Sequence, residues 1–122
     1  MGRIEKINAL MKREISNMIQ LGELNDPRLS FVTITQVVVT RDLRSARVSF
    51  SVLTNNPADI AAVQQGLDSA RGYVRRLIGQ RVRMRYTPEI NFIHDKSLEY
   101  SDQIDRIINE IHTSSEMNQK DK

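Results

Sequence analysis

From Ala46 to Val52 every second residue is apolar: Ala46, Val48, Phe50 and Val52 alternate with Arg47, Ser49 and Ser51. Successive side chains of a strand point to opposite faces, so this stretch predicts a strand with one buried and one wet face. A one-sided sheet needs a cover, and the flanking sequence supplies helices. Ile4, Ile7, Met11, Ile15 and Met18 recur at three- and four-residue steps, with Leu10 and Ile19 widening the stripe. That spacing predicts an amphipathic helix over residues 3–21, stopped at Gly22.

Asn25-Asp26-Pro27-Arg28 carries turn chemistry, and Phe31 to Thr40 is rich in Val, Ile and Thr, which suits a strand. Its apolar parity changes between Val32/Ile34 and Val37/Val39. A bulge near Gln36, or cover on both sides, would reconcile the two. This strand and the next are expected to form an antiparallel hairpin through residues 41–45. Asn55-Asn56-Pro57 reads as a cap followed by proline at the first helical position, with Asp59 complementing the helix dipole. Ile60, Val63, Leu67 and Ala70 then repeat at helical spacing, Gly72 interrupts, and Tyr73, Val74, Leu77 and Ile78 resume up to Gly79. The pattern predicts a helix broken or kinked near Ala70-Arg71-Gly72. Residues 82–94 read as a third strand, split at Pro88, with Met84, Tyr86, Ile90 and Phe92 inward. A last helix is expected from Leu98 to Ile111, on a stripe of Tyr100, Ile104, Ile107, Ile108 and Ile111. Residues 113–122 are polar and are expected to form a flexible tail. The predicted order is α-β-β-α-kink-α-β-α, an α+β domain over residues 1–112.

A chain of 122 residues makes one domain. It has no cysteine, which excludes disulfides, thiolate metal sites and a cysteine nucleophile. The N-terminus, Met1-Gly2-Arg3-Ile4-Glu5-Lys6, is charged and lacks the apolar core of a signal peptide, and no apolar run approaches a membrane span. A cytoplasmic protein with no membrane partner is expected. The formal net charge is only +3, but its distribution is uneven. Arg71, Arg75, Arg76, Arg81, Arg83 and Arg85 crowd one stretch, and no acid lies between Asp68 and Glu89. Such local excess points to a polyanion partner.

Taken in order, several short stretches are similar to the ribosome-binding factor A family. They are Asp26-Pro27-Arg28-Leu29, Thr40-Arg41-Asp42-Leu43, Ala46-Arg47-Val48 and Arg71-Gly72-Tyr73-Val74-Arg75. Leu77-Ile78-Gly79, Arg83-Met84-Arg85, Pro88-Glu89-Ile90 with Phe92, and Asp95-Lys96-Ser97 follow. The resemblance spans roughly residues 3–111. It implies a type II KH-like domain that acts as a monomer, without a cofactor and without catalysis. It also implies binding to the small (30S) ribosomal subunit or its precursor, and a role in cold adaptation and in processing the 5′ end of 16S rRNA. An ordinary KH domain clamps nucleic acid with a Gly-x-x-Gly loop. Here the glycines are Gly2, Gly22, Gly66, Gly72 and Gly79, and no two stand three apart. Ala70-Arg71-Gly72, the Ala-x-Gly kink of the family, takes the loop's place, so contact with folded rRNA through a basic surface is expected instead.

The arginine cluster is the main candidate site, because guanidinium binds phosphate bidentately and stacks on bases. Arg71, Arg75 and Arg76 are expected to project from the helix after the kink. Arg81, Arg83 and Arg85 alternate and are expected to share one strand face. Lys6, Lys12 and Arg13 would extend the surface. Arg28, Arg41 and Arg44 lie in predicted loops, where Arg28 could instead pair with Asp26. His94 and Asp95 stand near Glu89, yet no metal or acid–base spacing is present, so no catalytic or metal role is expected. Tyr73, Tyr86 and Phe92 are expected in the core rather than against bases. Two rival readings are a small RNA-processing enzyme and a protein-interaction module docking through the last helix or the tail.

Overall fold

The computed structural model describes residues 2–54 and 56–95. The expected last helix and polar tail lie outside the described residues. The order is α1 (Arg3–Gln20), a 3-10 turn (Pro27–Leu29), β1 (Val32–Val39), β2 (Ser45–Val52), α2 (Pro57–Arg81) and β3 (Glu89–His94). The sheet runs β1-β2-β3. β1 pairs antiparallel with β2, and β2 pairs parallel with β3. The register shifts between Ile34 and Gln36, which is the bulge that the change of parity called for.

Both helices cover one face of the sheet, α1 over β1 and α2 over β3, and they touch each other. The core between the layers holds Met11, Ile15 and Met18 of α1, Val48 and Phe50 of β2, Leu67, Val74 and Ile78 of α2, and Ile90 of β3. Complete burial of such a side chain contributes roughly 1.5–3 kcal/mol relative to exposure. Helix side chains also bond the outer edges of the sheet. Asn8 Oδ1 accepts from the Val39 N–H (2.9 Å), and Gln64 Nε2 donates to the Phe92 carbonyl (2.9 Å). Exposed backbone on the two edge strands is thereby partly satisfied.

The helix ends follow from the sequence. α1 closes on Gly22 at φ +70, with Glu23 N–H donating to the Met18 carbonyl and Gly22 N–H to that of Ile19, a Schellman closure. α2 starts at Pro57 with the Asn56 side chain accepting from Ala58 N–H (2.9 Å).

Two expectations are corrected. α2 is one continuous helix from Pro57 to Arg81, and no break separates two helices at Gly72. A mid-helix glycine costs about 1 kcal/mol. Leu67, Val74 and Ile78 are all fully buried on either side of it, and that packing outweighs the cost. The third strand is also shorter than residues 82–94, because Pro88 lacks the N–H a ladder needs and pairing begins at Glu89. Ile90 and Phe92 are inward as expected, Met84 is only partly buried, and Tyr86 is 69% exposed.

Candidate nucleic-acid interface

The β1–β2 turn is tightly held. The Thr40 hydroxyl donates to Asp42 Oδ1 (2.6 Å), which also accepts from Arg44 N–H (3.1 Å). Leu43 takes the left-handed conformation (φ +62) that residues with a side chain rarely adopt, while its side chain packs against the core. Beyond the turn, the Arg44 carbonyl accepts from Glu89 N–H (2.8 Å), where β3 joins the sheet. The backbone of Arg44 is thus bonded at both its N–H and its carbonyl.

On the other side stands α2. Arg71 and Arg75 are one helical turn apart and share a face. Arg75 Nη2 donates to the Thr87 carbonyl (3.0 Å). A Cβ at Gly79 would meet Thr87 Oγ1 at 2.8 Å, so the glycine lets the segment before β3 lie against α2. Between these parts runs an open groove of about 770 Å³, lined by Arg44, Arg75, Tyr86, Thr87, Glu89 and the turn. It adjoins a smaller one of about 220 Å³ where Arg71 and Arg75 face Glu89, Ile90 and Asn91. Arg75 and Glu89 belong to both. The parallel pairing of β2 with β3 therefore brings Arg44 beside Arg75, 31 positions away in sequence.

The other predicted basic residues are exposed but do not all join this groove. Arg81 is the last residue of α2 rather than part of a strand, so it shares no strand face with Arg83 and Arg85. It donates to Glu23 (2.7 Å) and lies 3.9 Å from Glu14, fastening α2 to α1. The bond to Glu23 raises the pKa of Arg81 further. Arg76 lies over the Tyr73 ring (5.4 Å to the centroid), and Arg85 lies over that of Tyr86 (5.4 Å). Arg83 is exposed in the segment after α2. Lys6, Lys12 and Arg13 are exposed on α1, which lies over β1 at the opposite edge of the sheet from β3. Arg28 is bound bidentately by Asp26, which lowers the carboxyl pKa through that hydrogen bond. Arg41 is exposed on the turn.

Arg47 was not among the sequence candidates. It is exposed on the sheet face turned away from α1 and α2, and the alternation of residues 46–52 carried that signal. Of the aromatic residues, Phe92 is in the core, whereas Tyr73 (41% exposed) and Tyr86 are outside it, contrary to expectation. His94 packs its ring against Phe50 at 5.5 Å. Among the described residues no cluster of His, Asp and Glu could hold a metal ion. No helix among them is long and apolar enough to cross a membrane.

Arg44, Arg71 and Arg75 thus line two adjoining grooves that also hold the carboxylates of Asp42 and Glu89, and none of the three arginines forms an ion pair within 4 Å among the described residues. Comparison with known proteins places the chain among relatives. The sequence model of the family described as ribosome-binding factor A matches residues 3–108. The protein of that name from Acetivibrio thermocellus is 51% identical over 111 residues, covering 90% of this chain and 89% of the relative. The crystal structure of ribosome-binding factor A from Thermus thermophilus superposes with a TM-score of 0.65 at 26% identity, over 77% of this chain and 97% of that one. A Thermus thermophilus homology model fitted into a cryo-EM map of a 30S complex with the factor gives a TM-score of 0.59 at 26% identity, over 74% of this chain and 92% of that one.

Proposed function

The chain belongs to the ribosome-binding factor A family, and from that premise we propose that it is a non-enzymatic assembly factor that binds the small ribosomal subunit or its precursor through the groove of Arg44, Arg71 and Arg75. The observation that carries the reading is the convergence of these arginines, from a turn and a helix far apart in sequence, on two adjoining open grooves that share Arg75. The Arg75 guanidinium, held by the Thr87 carbonyl, loses little freedom on meeting phosphate, which favours a folded RNA of fixed shape. The factor fitted into a 30S map has this fold and supports the same partner for this chain.

In this reading Arg83 and Arg85 continue the basic surface beside the groove, and Arg76 with Lys6, Lys12 and Arg13 forms its outlying part. Arg81 serves the fold. The KH-like relationship rests on the order of the elements and on the parallel β2–β3 pair. The bend at Ala70 and Gly72 would be a curvature within the continuous α2. The chain acts as a cytoplasmic monomer on 16S rRNA or its precursor, aids maturation of the 5′ end and matters most in the cold. Purification of the tagged chain from growing cells tests the reading. Small-subunit particles carrying 16S or precursor rRNA should co-purify and should dissociate steeply with salt. Recovery of the chain free of small-subunit RNA would refute it.

A further inference from the structure

We propose that the groove beside Arg75 takes a single unpaired RNA base, guanine first, with the Tyr86 ring as its platform and the Glu89 carboxylate reading its edge. This rests on the reading above and narrows its ligand from rRNA phosphate to one extruded nucleotide.

Three observations carry it. Tyr86 is a large aromatic ring left 69% exposed within a groove of guanidinium groups, and Arg85 lies over it at 5.4 Å. Its hydroxyl has no hydrogen-bond partner among the described residues, so ring and hydroxyl are both open to a ligand there. Bases taken out of a stack settle on such rings and on guanidinium planes.

The second observation is Glu89. It lines both parts of the groove with Arg75, yet forms no ion pair among the described residues. A carboxylate there would repel phosphate, so a site for phosphate alone leaves it unexplained. An ionised carboxylate only accepts hydrogen bonds. The Watson–Crick edge of guanine presents two adjacent donors, N1–H and the N2 amino group, which match the two oxygens. Adenine and cytosine offer one amino group, and uracil offers a single ring N–H. The flanking phosphates fall to Arg44 and Arg75.

The third is rigidity. Thr87, next to Tyr86, accepts from Arg75 and lies against α2 at Gly79, and the following Pro88 is buried. The platform therefore sits on anchored backbone, and stacking costs little ordering. The groove of about 770 Å³ is within the roughly 300–1,000 Å³ range of small-molecule clefts.

The test titrates the isotope-labelled full chain with each of the four ribonucleoside 5′-monophosphates and with inorganic phosphate, following backbone amides by NMR. Co-sedimentation with 30S subunits is measured in parallel. GMP should give saturable shifts around residues 44–45 and 86–89, AMP and CMP weaker ones, and UMP and phosphate almost none. Tyr86→Ala should abolish the GMP response and Tyr86→Phe should keep it. Glu89→Gln should cut the preference for GMP over UMP by about tenfold. Equal responses to all four nucleotides and to phosphate, or an unchanged response in folded Tyr86→Ala, would overturn the base site. If wild-type chain still sediments with 30S subunits in that case, the broader reading survives. If it does not sediment, both fall.

Discussion

The Arg75 guanidinium donates to the Thr87 carbonyl across 3.0 Å, tying the last third of α2 to the segment that leads into β3. That one bond holds a cation at the lip of the groove and fixes the backbone beside Tyr86. Thr87→Pro leaves this carbonyl in place but constrains Tyr86, the residue before it, so it is a poor probe of the contact. Shortening Arg75 to Lys is a better one. It keeps the charge and loses the fork geometry, and it should weaken 30S association by a few-fold while the fold persists.

Gly72 and Gly66 predict opposite results within one helix. A Cβ at Gly72 meets nothing within 4 Å, and α2 is continuous there, so Gly72→Ala should stabilise the chain by about 0.5–1 kcal/mol. A Cβ at Gly66 would stand 3.1 Å from both Asp26 Oδ2 and Leu29 Cδ2 and 3.3 Å from Arg28 Nε. Those atoms belong to a turn locked by an ion pair and a buried leucine, so crowding outweighs the gain in helix propensity. Gly66→Ala should destabilise by about 1 kcal/mol. Chemical denaturation of both variants decides it.

Phe50 is fully buried on the middle strand of the sheet, within the core. Phe50→Ala should cost about 3–5 kcal/mol, a large part of the roughly 5–15 kcal/mol that such a domain has. The midpoint of urea unfolding should fall accordingly.

Much of the fold was legible because its signals are local. The alternation of residues 46–52 marked the inward residues of β2, although Ser51, read as wet, is buried; the parity change at Gln36 marked the bulge, and Gly22 and Asn56-Pro57 marked helix ends. Pairings between distant segments were not legible. Arg81, Arg83 and Arg85 alternate as a strand would, but Arg81 still belongs to α2 and finds Glu23, 58 residues earlier. Half of the groove was hidden in the same way. Arg71 and Arg75 were readable as helical neighbours, whereas Arg44 reaches them only through the parallel β2–β3 pairing.

Asp42 gives a prediction in pH. The Thr40 hydroxyl, and after it the Arg44 N–H, hold its carboxyl below the ordinary aspartate value of 3.8. A carboxyl whose folded pKa is depressed adds stability that is present above the unfolded pKa and is lost as pH falls through the folded one. The difference in Tm between the chain and Asp42→Asn should hold from neutral pH to about pH 5 and close below about pH 4. A difference that widens on acidification would contradict this role of the turn.

In the proposed interface Arg71 and Arg75 meet phosphate, while Arg81 holds α2 to α1. The most direct test is the salt dependence of 30S affinity for Arg71→Gln/Arg75→Gln and for Arg81→Gln. The double variant should bind at least about tenfold more weakly, and its log–log salt slope should be shallower by about 1.5. Arg81→Gln should keep the wild-type slope and lose only a little thermal stability. A folded double variant with wild-type affinity and slope, or an Arg81→Gln that loses binding as severely, would contradict the account.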